Sequence, residues 1–119
     1  MGLDMYAYVA NKEYDHDTES SSRELAYWRK HPNLHGWMEE LYRAKGGDAE
    51  IFNGVEVELN YDDILQLEED VKNGRLPSTS GFFFGTPSDD YYLTTDLEFI
   101  RQAKFELFVG LRVFYNSSW

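Results

Sequence analysis

Apolar and polar residues alternate at the start of the chain. Leu3, Met5, Ala7 and Val9 fall on one side and Asp4, Tyr6 and Tyr8 on the other, the period of two that marks a half-buried strand. Residues 11–23 are polar, include three consecutive serines and read as a loop. Glu24 to Lys30 reads as either a second extended segment or a first helical turn. Pro32 disfavours helical geometry at His31 and suits the opening turn of a helix. Leu34, Trp37, Met38, Leu41 and Tyr42 then recur in steps of three and four, one apolar stripe on a helix that Gly46 and Gly47 end.

The second half repeats this grammar. Val55, Val57 and Leu59 alternate with Glu56 and Glu58, a short strand with one wet face. Asn60 is a good N-cap, with Asp62 and Asp63 in the first turn where the helix dipole favours acids. That helix runs to about Asn73, with Gly74 as its stop. A turn from Leu76 to Gly81 leads into Phe82, Phe83 and Phe84, a short buried strand or a hydrophobic plug. Thr95 or Asp96 is expected to cap a third helix reaching about Val109, with Leu97, Ile100, Ala103 and Leu107 facing in and Gly110 closing it. Leu111, Val113 and Tyr115 alternate with Arg112 and Phe114 in a last strand that runs to Trp119. The expected fold is α+β: a single domain over residues 1–119, three helices on a small, mostly antiparallel sheet.

Composition narrows the function classes. The 119 residues suit one domain with a real core, and an aromatic content of 17% supplies large rings to fill it. There is no cysteine, so disulfides and thiolate metal sites are excluded. The net charge of −11 argues against direct nucleic-acid binding and against an anionic membrane surface, which both need a basic footprint. No run approaches the about 20 apolar residues of a membrane span, and the first ten residues lack the basic start of a secretory signal. The expected compartment is the cytoplasm.

The chain resembles a family of short, uncharacterised proteins from bacteriophage genomes and prophage-bearing bacteria. The resemblance is carried by Gly2-Leu3-Asp4-Met5-Tyr6, by Tyr27-Trp28-Arg29-Lys30 with His35 and Trp37 behind it, by Leu76-Pro77, by Ser80-Gly81-Phe82-Phe83-Phe84-Gly85, by Asp90-Tyr91-Tyr92 and by Ser117-Ser118-Trp119. These blocks cover about a third of the chain and run in order from end to end. Members often carry Ala-Asn where this chain has His31-Pro32. The resemblance implies an accessory protein working inside a bacterial host cell and brings no activity with it.

The densest candidate chemistry lies between Leu25 and Met38, which hold two of three tryptophans, two of three histidines and an isolated Arg-Lys pair. Guanidinium forks match phosphate or carboxylate, and indole and phenol faces stack on flat ligands. Trp28, Arg29, Lys30 and His35, with Tyr6, Phe82, Phe83, Phe84, Tyr91 and Tyr92, are therefore the candidate binding residues. They are read as a surface for a host protein or a small anionic ligand. His31, His35 and Glu39 have the spacing of metal ligands on one helix, but Pro32 sets His31 outside that helix, so no metal or other cofactor is assigned.

Three further readings follow from charge and pattern. A small nucleotide or small-molecule hydrolase or transferase would use His35 with an acid such as Asp4 or Glu24. A nucleic-acid mimic would use the nine acids between residues 48 and 70, a stretch without a base, set in a row. Finally, Glu68 falls within the apolar arc of the second helix and Lys104 within that of the third. A bare buried carboxylate is too costly, so Glu68 is expected either to be paired, with Lys104 as the candidate partner, or to sit at a pocket rim.

Overall fold

In the computed structural model, residues 3–11, 22–29, 31–76 and 89–118 are described. Among these residues, four strands and three helices follow one another as β1 (Asp4–Ala10), β2 (Ser22–Arg29), α1 (Pro32–Ala44), β3 (Val57–Leu59), α2 (Tyr61–Lys72), α3 (Asp89–Phe108) and β4 (Arg112–Ser118). The strands form one antiparallel sheet in the order β2-β1-β4-β3. The α+β architecture expected from the pattern is the one observed.

Alternation decides which face of the sheet is covered. Leu3 just before β1, Met5 and Ala7 of β1, Trp28 of β2, Val57 and Leu59 of β3, and Val113 and Tyr115 of β4 all join one apolar cluster. The helices supply Leu34, Met38, Ile64, Leu67, Phe99, Ile100 and Ala103 to that same cluster. All three helices thus cover the inner face. The outer face carries Asp4, Tyr6 and Tyr8 from β1, Tyr27 from β2, Phe114 and Asn116 from β4, and Glu56 and Glu58 beside them. None of these belongs to the core cluster.

A register shift in the β1–β2 ladder shapes this outer face. Ala7 pairs with Ala26, but Tyr8 pairs with Glu24, which leaves Leu25 as an extra residue in β2. Such a bulge restores the phase of the pleat. It places Glu24 on the same face as Tyr8, directly across from it.

Local signals set the helix ends. Pro32 opens α1, where its missing N–H removes a donor that has no helical partner. Asn60 and Asp63 form a reciprocal capping box on α2: the Asn60 side chain accepts from the Asp63 N–H at 2.8 Å, and the Asp63 carboxylate accepts from the Asn60 N–H at 2.9 Å. Gly46 and Gly74 follow α1 and α2 with φ of +93° and +65°, the left-handed geometry that glycine adopts without strain.

The third helix departs from expectation. It begins at Asp89, well before Thr95, and Asp96 lies inside it as one of the most buried polar residues of the chain. Its buried face is Tyr92, Asp96, Phe99, Ile100, Ala103 and Glu106, whereas Leu97 and Leu107 are only half-buried. Asp96 and Glu106 put two acids into that stripe. The start of β2 also differs, because Ser22 and Arg23 belong to the strand rather than to a loop. Arg23 is held there by Glu106 of α3 at 2.9 Å.

Candidate functional site

The residues expected to form one binding surface are divided among three places. Trp28 and Tyr27 are neighbours on an extended strand, so their side chains project to opposite faces. Trp28 is 1% exposed and its ring meets Phe99 edge-on at 5.1 Å. Its indole N–H donates to Asp96 Oδ1 at 2.8 Å, while Asp96 Oδ2 accepts from His31 Nε2 at 2.9 Å. The His31 ring stacks on Tyr92, with centroids 4.2 Å apart, and the Tyr92 hydroxyl donates to the backbone oxygen of Arg29. One buried carboxylate thereby joins the end of β2, the start of α1 and the middle of α3. His31 and Asp96 were not among the candidate residues. Neighbouring Trp28 in sequence gave no sign that a carboxylate some 70 positions on would face both.

His35 occupies a second interior node. Its Nδ1 lies 2.7 Å from the Tyr115 hydroxyl and its ring centroid 5.0 Å from that of Phe52. Burial pushes its pKa down to about 4, against a smaller upward effect of a hydrogen bond to the Phe52 backbone. The ring is therefore neutral at pH 7. Burial likewise pushes the Tyr115 phenol well above its ordinary range. A general base needs access to substrate, and His35 is 3% exposed. No hydrogen bond joins it to Asp4 or Glu24: Asp4 accepts from Tyr27 at 2.7 Å.

Buried and hydrogen-bonded, Trp28 and His35 do not form the exposed surface expected of them. Tyr92 is also interior, which leaves Arg29 and Tyr6 of the described candidates outside the core. Lys30, Phe82, Phe83, Phe84 and the Tyr91 side chain lie outside the described residues. Glu68 and Lys104 meet at 2.6 Å across α2 and α3, and the lysine holds the Glu68 carboxyl below its ordinary range. With side-chain exposures of 22% and 29%, the pair bridges two helices at the surface rather than inside the core. Among the described residues no three His, Asp or Glu side chains converge as a metal site would require, and no helix is long and apolar enough to cross a membrane.

Several of the acids between residues 48 and 70 have partners within the chain. Asp63 serves the α2 cap and Lys45, Asp70 accepts from the Trp37 indole at 2.8 Å, and Glu58 takes both Arg112 nitrogens on the sheet. These three carboxylates are thereby committed to partners within the chain.

Among the described residues, one open feature lies on the outer face of the sheet. A depression of about 600 Å³ lies over Tyr6 and Tyr8, lined among the described residues also by Glu24, Gly54, Asn116, Ser117 and Ser118. Gly54 is tied to this edge by its N–H, which donates to the Ser117 backbone oxygen at 2.7 Å. Around it the aromatic rings form pairs, Tyr6 with Tyr27 at 5.4 Å and Tyr8 with Phe114 at 5.5 Å. Two phenols are anchored by carboxylates: Tyr8 donates to Glu56, and Tyr27 to Asp4. The Asp4 bond raises the Tyr27 pKa, which keeps that hydroxyl protonated. Compared with protein-family models, with curated proteins and with solved structures, the chain finds no match.

Proposed function

We propose that this protein is a non-enzymatic binding module whose contact surface is the outer face of its sheet. The observation that carries the reading is the 600 Å³ depression floored by Tyr6 and Tyr8. The inner face is closed by three helices, whereas the outer face presents paired rings with hydroxyls fixed by carboxylates. Rigid, amphipathic tyrosines of this kind supply contact area at low entropic cost. The size falls within the range of ligand sites in general.

The occupant follows from charge. Asp4, Glu24, Glu56 and Glu58 stand on this face against Arg29 and Arg112, which disfavours the small anion and favours a host protein. The phage-type origin rests on the sequence resemblance, and a cytoplasmic site of action inside a bacterial cell rests on the same context. The enzyme reading loses its support with His35 in the interior, and the mimic reading is weakened because Glu58, Asp63, Glu68 and Asp70 are committed to internal partners.

Capture from a bacterial lysate tests the reading. Immobilised wild-type protein is compared with Tyr6→Ser and with Leu65→Ser, a substitution on the helical layer, after circular dichroism has shown each variant folded. The expected result is a protein band retained by wild type and Leu65→Ser and lost with Tyr6→Ser. Equal retention by Tyr6→Ser overturns the outer face as the contact surface.

A further inference from the structure

One cation of the outer face, Arg112, already has a seat there. The Arg112 guanidinium carbon lies 5.0 Å from the centroid of Phe114, and its Nε and Nη2 donate to Glu58 at 2.9 and 2.8 Å. Phe114 and Glu58 are direct partners across β4 and β3. The clamp is thus an aromatic ring on one strand and the carboxylate opposite it on the next. Such a pairing satisfies both demands of a guanidinium, a flat π face and a charged acceptor.

The same two residue types face each other one step across the sheet. Tyr8 of β1 stands directly opposite Glu24 of β2 because of the bulge at Leu25, and Tyr6 lies one row along on the same face. Both tyrosines and Glu24 line the depression. Glu24 is exposed, and among the described residues it makes no ion pair or side-chain hydrogen bond. Where a tyrosine hydroxyl donates to a carboxylate, as Tyr8 does to Glu56 and Tyr27 to Asp4, electron density moves onto the ring. That makes the π face a better seat for a cation.

We propose that the depression takes the ammonium or guanidinium of a lysine or arginine side chain presented by a partner protein. The cation sits over the Tyr6 and Tyr8 rings with Glu24 as its counter-charge. This rests on the reading of the outer face as the contact surface and adds the chemistry of what it accepts. The net charge of −11 draws a basic segment towards the protein, and the depression has room for flanking backbone as well as one charged head.

The test is a titration of ¹⁵N-labelled full-length protein with a hexalysine peptide, with spermidine as a free polyamine and hexaglutamate as the control. Hexalysine is expected to shift the amides of Tyr6, Tyr8, Glu24 and Asn116. Tyr6→Leu keeps the bulk and removes the π face, and should raise Kd by about two- to thirty-fold, the range that cation–π contacts span. Glu24→Gln, at an exposed site where folding is not at stake, should raise it by up to about five-fold. Shifts confined to the exposed acids of α2, or an unchanged Kd in both variants, overturn the proposal. Spermidine binding the same amides as tightly as hexalysine overturns the partner-protein source and assigns the site to free polyamines. A lysate partner lost with Tyr6→Ser while hexalysine fails to bind would refute the cation and leave the outer face standing. Retention of that partner by Tyr6→Ser would refute the outer face itself.

Discussion

Asp96 is the residue on which the interior most depends. Its carboxylate accepts from Trp28 Nε1 at 2.8 Å and from His31 Nε2 at 2.9 Å, and all three side chains are at most 2% exposed. Asp96→Ala strands two donors inside the fold. Each unsatisfied buried donor costs about 1–3 kcal/mol, so the sum lies between about 2 and 6 kcal/mol. One feature moderates it: Asp96 also lines a hollow of about 210 Å³ between the end of α2 and the first half of α3, through which water can reach a vacated acceptor position. The expected loss is therefore about 3 kcal/mol, a large share of the roughly 5–15 kcal/mol that holds a domain of this kind together.

Urea unfolding followed by tryptophan fluorescence and by circular dichroism measures this directly. At a slope of about 1–3 kcal/mol/M the midpoint should fall by about 1–3 M. Asp96→Asn keeps one acceptor and should lose less than the alanine variant. Trp28→Phe removes the indole donor while leaving a ring against Phe99, so a double-mutant cycle with Asp96→Ala isolates one bond. Its coupling should be at least about 1 kcal/mol. A loss below about 1 kcal/mol for Asp96→Ala, or strict additivity in the cycle, would refute the account of Asp96 as the tie between β2, α1 and α3.

Two further outcomes are expected. His35, held at about 4 in the fold against an ordinary 6.5, favours the native state fully above pH 6.5. As pH falls from 6.5 towards 4, the unfolded chain takes up a proton that the native chain refuses, so stability drops by about 2–3 kcal/mol. Glu58 and Glu68, whose arginine and lysine partners lower them, add losses only as pH falls through the lower carboxylate range. Urea midpoints at pH 7 and 5 should therefore separate the histidine, and an unchanged pH slope in His35→Gln would contradict its assignment. At the start of α2, Asn60→Ala removes the side-chain acceptor of the capping box while keeping the N–H that donates to Asp63, and should cost about 1 kcal/mol, whereas Asn60→Gly should cost only a few tenths. Equal urea midpoints for the two variants would remove the cap from the account.

The elements legible in the sequence are those whose signals are local. β1 could be read because its inner residues are uniformly apolar, and α2 because Asn60, Asp63 and Gly74 mark both ends without reference to anything distant. Glu68 and Lys104 stood out because each is a charge in an apolar arc, an anomaly that a helical wheel displays. The third helix departs from its local pattern for the converse reason. Its buried stripe contains Asp96 and Glu106, and each acid is there to meet a partner from β2: Trp28 with His31 just beyond it in one case, Arg23 in the other. An aspartate seen alone favours a cap, and only a tertiary contact moves it to the middle of a helix.

The candidate site shows the same limit more sharply. Tyr27, Trp28, Arg29, His31 and His35 look like one cluster because they are close in sequence, yet closeness along a strand separates side chains. Tyr27 and Trp28 are consecutive on β2, so the pleat sends them to opposite faces: the phenol to Asp4 outside, the indole to Asp96 inside. The outer-face grouping is spread in the opposite way. Tyr6 and Tyr8 come from the first strand, Glu24 from the second and Asn116 from the last, and strand pairing alone assembles them. Of these, only Tyr6 is among the binding residues that the sequence suggests. Glu24 reaches the same side as Tyr8 only because Leu25 is bulged out of register, and no pattern in residues 22–29 announces that extra residue. A surface assembled by register is invisible to any reading that weighs neighbours in sequence, so the acid-and-tyrosine face becomes visible only when β1 is laid between β2 and β4.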